Sequence, residues 1–530
     1  MTAARGGVPD VRGRLMLAFP GTTLPADVEQ RLFTAPAAGI TLFRYENVDT
    51  PDQVRALTDA AQAAAEARDP RSGPLLIAGD QEGGQFLGLG DGTTPFPGSM
   101  ALGATGDPDL AERVGLATGL ELAAMGVNVA YAPVCDLATS PANPHLGIRS
   151  FGDDPVTVAA FVAATVRGLR AGGVAAAAKH FPGLGEADVD SHHALPVIDA
   201  DRAQLEAREL VPFVAAIQAG AEVVMSAHIG LPAITGDATL PATLARDVMH
   251  DLIRDDLGFL GLTITDALDM AALPQGAGQV VDAIAAIRAG VDLLLCAPDA
   301  IRRQRIEDSI VQAAARQLFD VAELRASERR LEALRRRLAV AARPDPSVIR
   351  SVAHLALARD VAERSITLVR DERGLLPLRP APGARILAVM PRPRALTPAD
   401  TSDSVAPGLG GALRERWPDV DEVVTSQPPT DDEIASIRTT AFGADLVVVG
   451  TISASADPQQ VRLVEALLDT GRPVVTVSLR TPWDHLAYPG AGTHVCAYGI
   501  LEPTLAALAA ALFGAIPFRG RLPVATAIHA

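Results

Sequence analysis

Lys179 is the only lysine among the 46 basic side chains of the chain. It opens a segment dense in groups able to bind, attack or transfer protons, Lys179-His180-Phe181-Pro182-Gly183 followed by Asp190-Ser191-His192. A lysine is a compact charge on a flexible stem and an arginine a wide planar fork, so a lone lysine in an arginine-rich chain raises the question of what arginine fails to do there. A strand-end lysine also suits Schiff-base chemistry, but the adjacent histidine and the Asp-x-His pair are not parts an aldolase requires. Other chemically capable residues follow the same habit of closing apolar runs. Asp80 ends one run and starts Asp80-Gln81-Glu82-Gly83-Gly84, His228 ends Met225-Ser226-Ala227-His228, Asp266 ends 262–266, and Arg149 lies in the loop beyond 128–136.

These residues need elements that bring them together. Eight apolar runs, at 14–21, 39–47, 74–80, 128–136, 174–181, 222–229, 262–266 and 291–298, alternate with Ala/Leu/Arg-rich helical patterns. Near-continuous apolar strands separated by helix-sized segments predict a parallel sheet covered on both sides, closed as a (β/α)8 barrel. In such a barrel, function collects where strands end and βα loops begin, and the polar residues named above fall there. Any one of them reads equally well as a helix cap or a satisfied buried pair; five on one rim do not. The double glycine after Glu82 permits φ > 0 and close backbone approach, for a ligand or only for a turn.

The prolines of Ala341-Ala342-Arg343-Pro344-Asp345-Pro346 interrupt helix and predict a hinge, with a barrel domain over 1–343 and a second α/β domain over 344–530. Runs at 384–390, 421–425, 445–450, 473–479 and 493–499 predict an open, parallel, doubly wound sheet for the second domain. No Gly-rich nucleotide fingerprint follows any of them, and no cofactor is expected.

Composition narrows the partners. A net charge of −17 gives no attraction to nucleic acid or to anionic membrane surfaces. Cys135, Cys296 and Cys496 are odd in number and far apart, which suits buried core residues and neither a disulfide framework nor a metal site. No apolar run reaches the roughly 20 residues that span a bilayer, and the first 21 residues lack the basic-then-apolar order of a signal peptide, so the cytoplasm is expected. The basic run Arg329 to Arg337, with Leu331, Leu334 and Leu338 at helical spacing, is expected to be an exposed helix face.

Residues 179–192 fit the pattern K-H-F-P-G-x-G-x-x-x-x-D-S-H. With Asp80-Gln81-Glu82-Gly83-Gly84, Asn143-Pro144, Gly147-Ile148-Arg149-Ser150-Phe151-Gly152, Met225-Ser226-Ala227-His228, Gly258-Phe259-Leu260-Gly261 and Thr265-Asp266-Ala267-Leu268 in order, the chain resembles the β-N-acetylglucosaminidase branch of glycoside hydrolase family 3. Ser365-Ile366-Thr367-Leu368-Val369 and Leu375-Leu376-Pro377-Leu378 are similar, less distinctively, to the family's C-terminal domain.

The resemblance implies a retaining exo-β-N-acetylglucosaminidase acting on short saccharides or cell-wall fragments, as a monomer or homodimer. Asp266 corresponds to the nucleophile, and Asp190 and His192 to an acid/base dyad in which histidine, with an ordinary pKa of about 6.5, replaces the usual second carboxylic acid. Asp80, Arg149, Lys179, His180 and His228 correspond to sugar-hydroxyl contacts. His193 adjoins His192, but register favours His192. Gln85, Leu184 and Ala267 depart from the common pattern, where Arg, His and Asp often stand, and leave the aglycone preference open. Trp417 and Trp483 both fall in the second half, so the barrel offers no tryptophan platform for a long polysaccharide. A β-N-acetylglucosaminide phosphorylase shares every catalytic residue and stays as an alternative; a non-catalytic sugar-binding protein is a second, although such a protein has no need of Asp266 or His192.

Overall fold

The computed structural model describes residues 9–143 and 145–525. The start of the 1–21 segment and Pro144 of the Asn143-Pro144 motif lie outside the described residues. The first sheet has eight parallel strands: β1 (Leu15–Leu17), β2 (Gly39–Leu42), β3 (Leu76–Gly79), β4 (Val129–Ala130), β5 (Ala175–Phe181), β6 (Val223–Ser226), β7 (Leu262–Ile264) and β8 (Leu294–Leu295). Their order is β7-β6-β5-β4-β3-β2-β1-β8, and a parallel bridge between Ile264 and Leu293 closes the ring. Every residue of these strands is buried, as expected of a sheet with side chains inside and helices outside. Helices such as Pro51–Arg68, Pro108–Ala124 and Pro155–Ala171 start on Thr50, Asp107 and Asp154, whose side chains cap the first-turn N–H groups ahead of a proline.

The lower end of the barrel is plugged by helix Val321–Leu338. Its Leu331, Leu334 and Leu338 join one apolar cluster with residues at strand starts, including Leu76, Val129, Val223 and Leu262. The arginines of this helix correct the expectation of a merely exposed face. Arg329 and Arg336 are exposed, but Arg330 pairs with buried Asp292 at 2.7 Å, Arg337 with Glu222 at 3.1 Å, and Arg335 donates to the carbonyls of Ala37 and Ala38. Strand-start carbonyls and carboxylates at the barrel floor need cationic donors, and long side chains on the plugging helix reach them together with Arg14, Arg170 and Arg254.

The second sheet comprises β9 (Thr367–Asp371), β10 (Ile386–Pro391), β11 (Val420–Thr425), β12 (Leu446–Thr451), β13 (Val474–Ser478) and β14 (Thr493–Cys496), in the order β11-β10-β12-β13-β14-β9. Five strands are parallel, as the apolar runs imply, but β9 pairs antiparallel with β14 and corrects the wholly parallel expectation. Thr-Leu-Val-Arg-Asp is too polar for a central strand, and partial exposure on an edge is where such a sequence is tolerated. Helix Val352–Ser365, just before β9, is shared between the halves. Leu357, Ala358 and Val361 enter the barrel's core, and Ala362 enters that of the second sheet.

After β10 the chain returns to the barrel rim. Thr401 donates its N–H to the carbonyl of Gln85 at 2.8 Å, its hydroxyl accepts from the N–H of Leu87 at 3.1 Å, and Asp403 accepts from the hydroxyl of Tyr45. Asp400, buried one residue earlier, is held by Arg480 at 2.8 Å.

Candidate active site

A cavity of about 380 Å³ opens at the C-terminal ends of the barrel strands. Asp80, Arg149, Lys179, His180, His192 and Asp266 line it together, so six of the eight residues singled out in the sequence converge on one space. Asp190 and His228 stand directly behind that lining.

Lys179, at the end of β5, contacts Asp80 at the end of β3 and lies 2.7 Å from Oε1 of Glu82. Arg149 grips Glu82 with both arms, Nε to Oε2 and Nη2 to Oε1, each at 2.8 Å. Burial alone would raise the Glu82 carboxyl, but Arg149 and Lys179 hold it well below the carboxylate range. Burial would likewise discharge the lysine, yet Asp80 and Glu82 keep its pKa above the ordinary value. The result is a buried, charged floor to the cavity.

His180 donates Nδ1–H to Asp136 at 2.7 Å. Burial, reinforced by Arg149, drives its pKa well below the usual imidazole value, and Nε2 lies beside Arg149 at 3.5 Å. Burial pushes Asp136 up to about 6 despite N–H groups from Leu184 and His180.

Asp190 and His192 form a compact pair. Oδ1 of Asp190 accepts from Nδ1 of His192 at 2.7 Å and from its backbone N–H at 2.9 Å. Nδ1 being engaged, Nε2 is the ring atom left for the cavity. His193, by contrast, is exposed. The Asp190 carboxyl is raised by burial but, on balance, held low by N–H groups from His145 and His192.

Asp266, two residues beyond β7, accepts the N–H of Ala267 at 2.7 Å on Oδ1. Burial opposes its charge, and the imidazoles of His180, His228 and His192 with the Ala267 amide outweigh that, keeping the carboxyl below its ordinary pKa. His228 is fully buried, with Nδ1 at 2.8 Å from the Thr243 hydroxyl and Nε2 at 3.2 Å from the Ala267 carbonyl. Both nitrogens are committed to protein, and the ring fixes the loop that carries Asp266.

Five residues escaped the sequence reading. Glu82 sits inside a motif already quoted, and Asp136 closes the apolar run 128–136, so the strand-end rule applied evenly finds both. His145 lies in an irregular loop with no such signal. Pro398 and Ala399, which reach the cavity from the second domain, are invisible without the fold.

His145, Asp190 and His192 converge closely enough to suggest a metal site. Arg149 Nη1, however, donates to Nε2 of His145 at 2.9 Å, which puts that ring's proton on Nδ1 and leaves no lone pair there for a cation. The group is a hydrogen-bonded chain.

The family model described as the glycosyl hydrolase family 3 N terminal domain matches residues 16–338. A β-hexosaminidase A of Pseudoalteromonas piscicida is 36% identical over 388 residues, 68% of this chain and 63% of that protein, so the chain spans less than two thirds of this relative's length. A β-N-acetylglucosaminidase/β-glucosidase of Cellulomonas fimi is 31% identical over 500 residues, 88% of this chain and 86% of its own. The solved structure of a family 3 β-N-acetylglucosaminidase from Paenibacillus sp. str. FPU-7 superposes with a TM-score of 0.92 at 34% identity, covering 98% of this chain and 99% of that one. With more than half its length matching the family's barrel and a relative above 30% identity along most of the remainder, the chain belongs to glycosyl hydrolase family 3.

Proposed function

We propose that the chain is a retaining exo-β-N-acetylglucosaminidase with catalytic residues Asp266, His192 and Asp190. The observation that carries this reading is one cavity shared by the Asp266 carboxylate at the tip of β7 and a His192 ring whose Nδ1 is tied to Asp190. Asp266 attacks the anomeric carbon while His192 passes the Nε2 proton to the departing oxygen, leaving a glycosyl ester on Asp266 and a neutral ring. Water then attacks the same carbon, gives its proton to Nε2, and the ester oxygen returns to Asp266 as carboxylate. Asp190 stabilises the imidazolium that begins and ends the cycle.

Asp80, Arg149, Lys179 and His180 hold the sugar's hydroxyls, and His228 positions the nucleophile's loop from behind. The acetamido preference rests on the relatives. A barrel unit over 1–343 and a second unit over 344–530 that closes the cavity with Pro398 and Ala399 agree with the two separate sheets. Among the described residues no helix is long and apolar enough to cross a membrane. A cytoplasmic role in cell-wall recycling is part of this proposal; three buried, unpaired cysteines are compatible with a reducing compartment.

The test is product analysis with 4-nitrophenyl N-acetyl-β-glucosaminide and the matching glucoside, in phosphate and in phosphate-free buffer. Release of free N-acetylglucosamine with retained β-configuration, abolished in Asp266→Asn, is expected. A glycosyl phosphate as main product overturns hydrolysis, and absence of turnover on every glycoside leaves a sugar-binding protein.

A further inference from the structure

His145 is used by none of the steps above, yet it occupies the junction between the sugar-binding floor and the dyad. It is 2% exposed, with Arg149 Nη1 at 2.9 Å on one nitrogen and Asp190 Oδ1 at 3.1 Å on the other. A guanidinium only donates, so Nε2 accepts and Nδ1 carries the proton given to Asp190. The His145 ring stacks on that of His192, centroids 5.4 Å apart with planes inclined by 20°, and meets His180 edge-on at 5.3 Å. Asn143 builds the turn. Its Oδ1 accepts the N–H of His145 at 2.9 Å, and its Nδ2 donates to the carbonyls of Leu184 and Gly185, at the root of the loop that bears the dyad.

We propose that His145 is a positioning residue for the acid/base step: it pins Asp190 Oδ1 by a hydrogen bond, holds the plane of His192 by stacking, and joins the dyad to Lys179 and Glu82 through Arg149. The inference rests on the proposed role of His192. Asp190 Oδ1 receives three N–H groups, one from His145 and two from His192, while Oδ2 has no hydrogen-bond partner within the protein. Each donor draws on the same lone pairs, so the His145 bond weakens the hold of Asp190 on the His192 proton and makes the ring a better acid. A charged His145 is opposed by burial and by Arg149, so the ring stays neutral and does not compete for the transferred proton. The other ionisable groups facing His192 are Asp266, Asp269 and His228, and they are the same with or without His145.

The test pairs His145→Phe, which keeps a stacking ring and loses both hydrogen bonds, with His145→Asn, whose amide N–H reproduces the Nδ1 donor. NMR titration of the His192 ring is expected to show its midpoint moved upward in His145→Phe and restored toward wild type in His145→Asn. On aryl N-acetyl-β-glucosaminides, His145→Phe is expected to lose roughly tenfold in kcat/KM with a poor leaving group and little with a dinitrophenolate, which needs no acid. Identical His192 titration in wild type and His145→Phe, or equal losses on both leaving groups, overturns the proposal. The titration needs no turnover, so a chain inactive on all glycosides that still shows the shift sinks the hydrolase reading and leaves the His145 linkage standing.

Discussion

Lys179 Nζ lies 2.7 Å from Oε1 of Glu82, and the same oxygen lies 2.8 Å from Nη2 of Arg149. Two cations thus share one carboxylate, with all three side chains about 2% exposed. Asp80 contacts the same lysine from the other side, and burial raises its carboxyl although Lys179 opposes this. A floor of this kind needs no rearrangement to meet a polar ligand, which is the condition for rigid hydroxyl recognition.

The geometry assigns the lone lysine its task. Its compact ammonium fits between Asp80 and Glu82, and a planar guanidinium there meets Arg149 head on. Lys179→Arg is therefore expected to lose about 100-fold in kcat/KM although the charge is retained. Wild-type kinetics in this variant remove the positional role.

Glu82 answers to two buried cations at once. Glu82→Gln leaves Lys179 and Arg149 short of one charge in a dry site, and a loss of about 3–5 kcal/mol in unfolding free energy is expected from urea denaturation. An unchanged midpoint means that Asp80 alone suffices.

His192 and His193 are adjacent in sequence and separate in space. His192→Ala is expected to lower kcat by at least about 100-fold, whereas His193→Ala, on an exposed ring, stays within about twofold. Comparable losses in both contradict the assignment.

Glu209 packs beneath the dyad loop at Gly183, whose φ of +120° leaves room only for hydrogen, a built Cβ falling 2.8 Å from that of Glu209. Burial raises the Glu209 carboxyl from 4.5 to about 7, Arg208 opposing, and its Oε2 has no hydrogen-bond partner in the protein. A raised folded-state pKa contributes stability that is complete below the unfolded value of 4.5 and is lost as pH rises through about 7. Glu209→Gln lacks that loss and is expected to be more stable than wild type by up to about 3 kcal/mol at about pH 8, the difference vanishing in acid. Parallel stability curves for the two proteins rule this out.

The second domain contributes a wall through Pro398 and Ala399, anchored by Thr401 on Gln85 and by the Asp400–Arg480 pair. Ala399→Trp is expected to raise KM for a disaccharide more than for a small aryl glycoside. Equal changes place the wall outside the leaving-group side.

Much of the molecule was legible from sequence because it depends on local periodicity. Eight apolar runs locate β1 to β8, and where a run closes on a polar residue, as at Asp80, Asp136, His228 and Asp266, that residue marks the rim, since a strand that must be apolar inside a barrel turns polar where it leaves it. The same rule reaches Asp80, Lys179, His180 and Asp266, and carried further it reaches Asp136. Hydrogen-bond assignments did not follow, because they depend on which loop ends meet. That His228 spends both nitrogens on Thr243 and Ala267, that Glu82 rather than Asp80 is shared by two cations, and that His145 bridges Arg149 and Asp190 are facts of how separate loops meet in space. The antiparallel β9, the arginines that seal the barrel floor and the Pro398–Ala399 wall belong to the same class. Sequence periodicity sets the direction in which each side chain leaves its own element; only closure of the barrel and docking of the second sheet decide which charges come within bonding reach, since Coulomb and hydrogen-bond energies act through space.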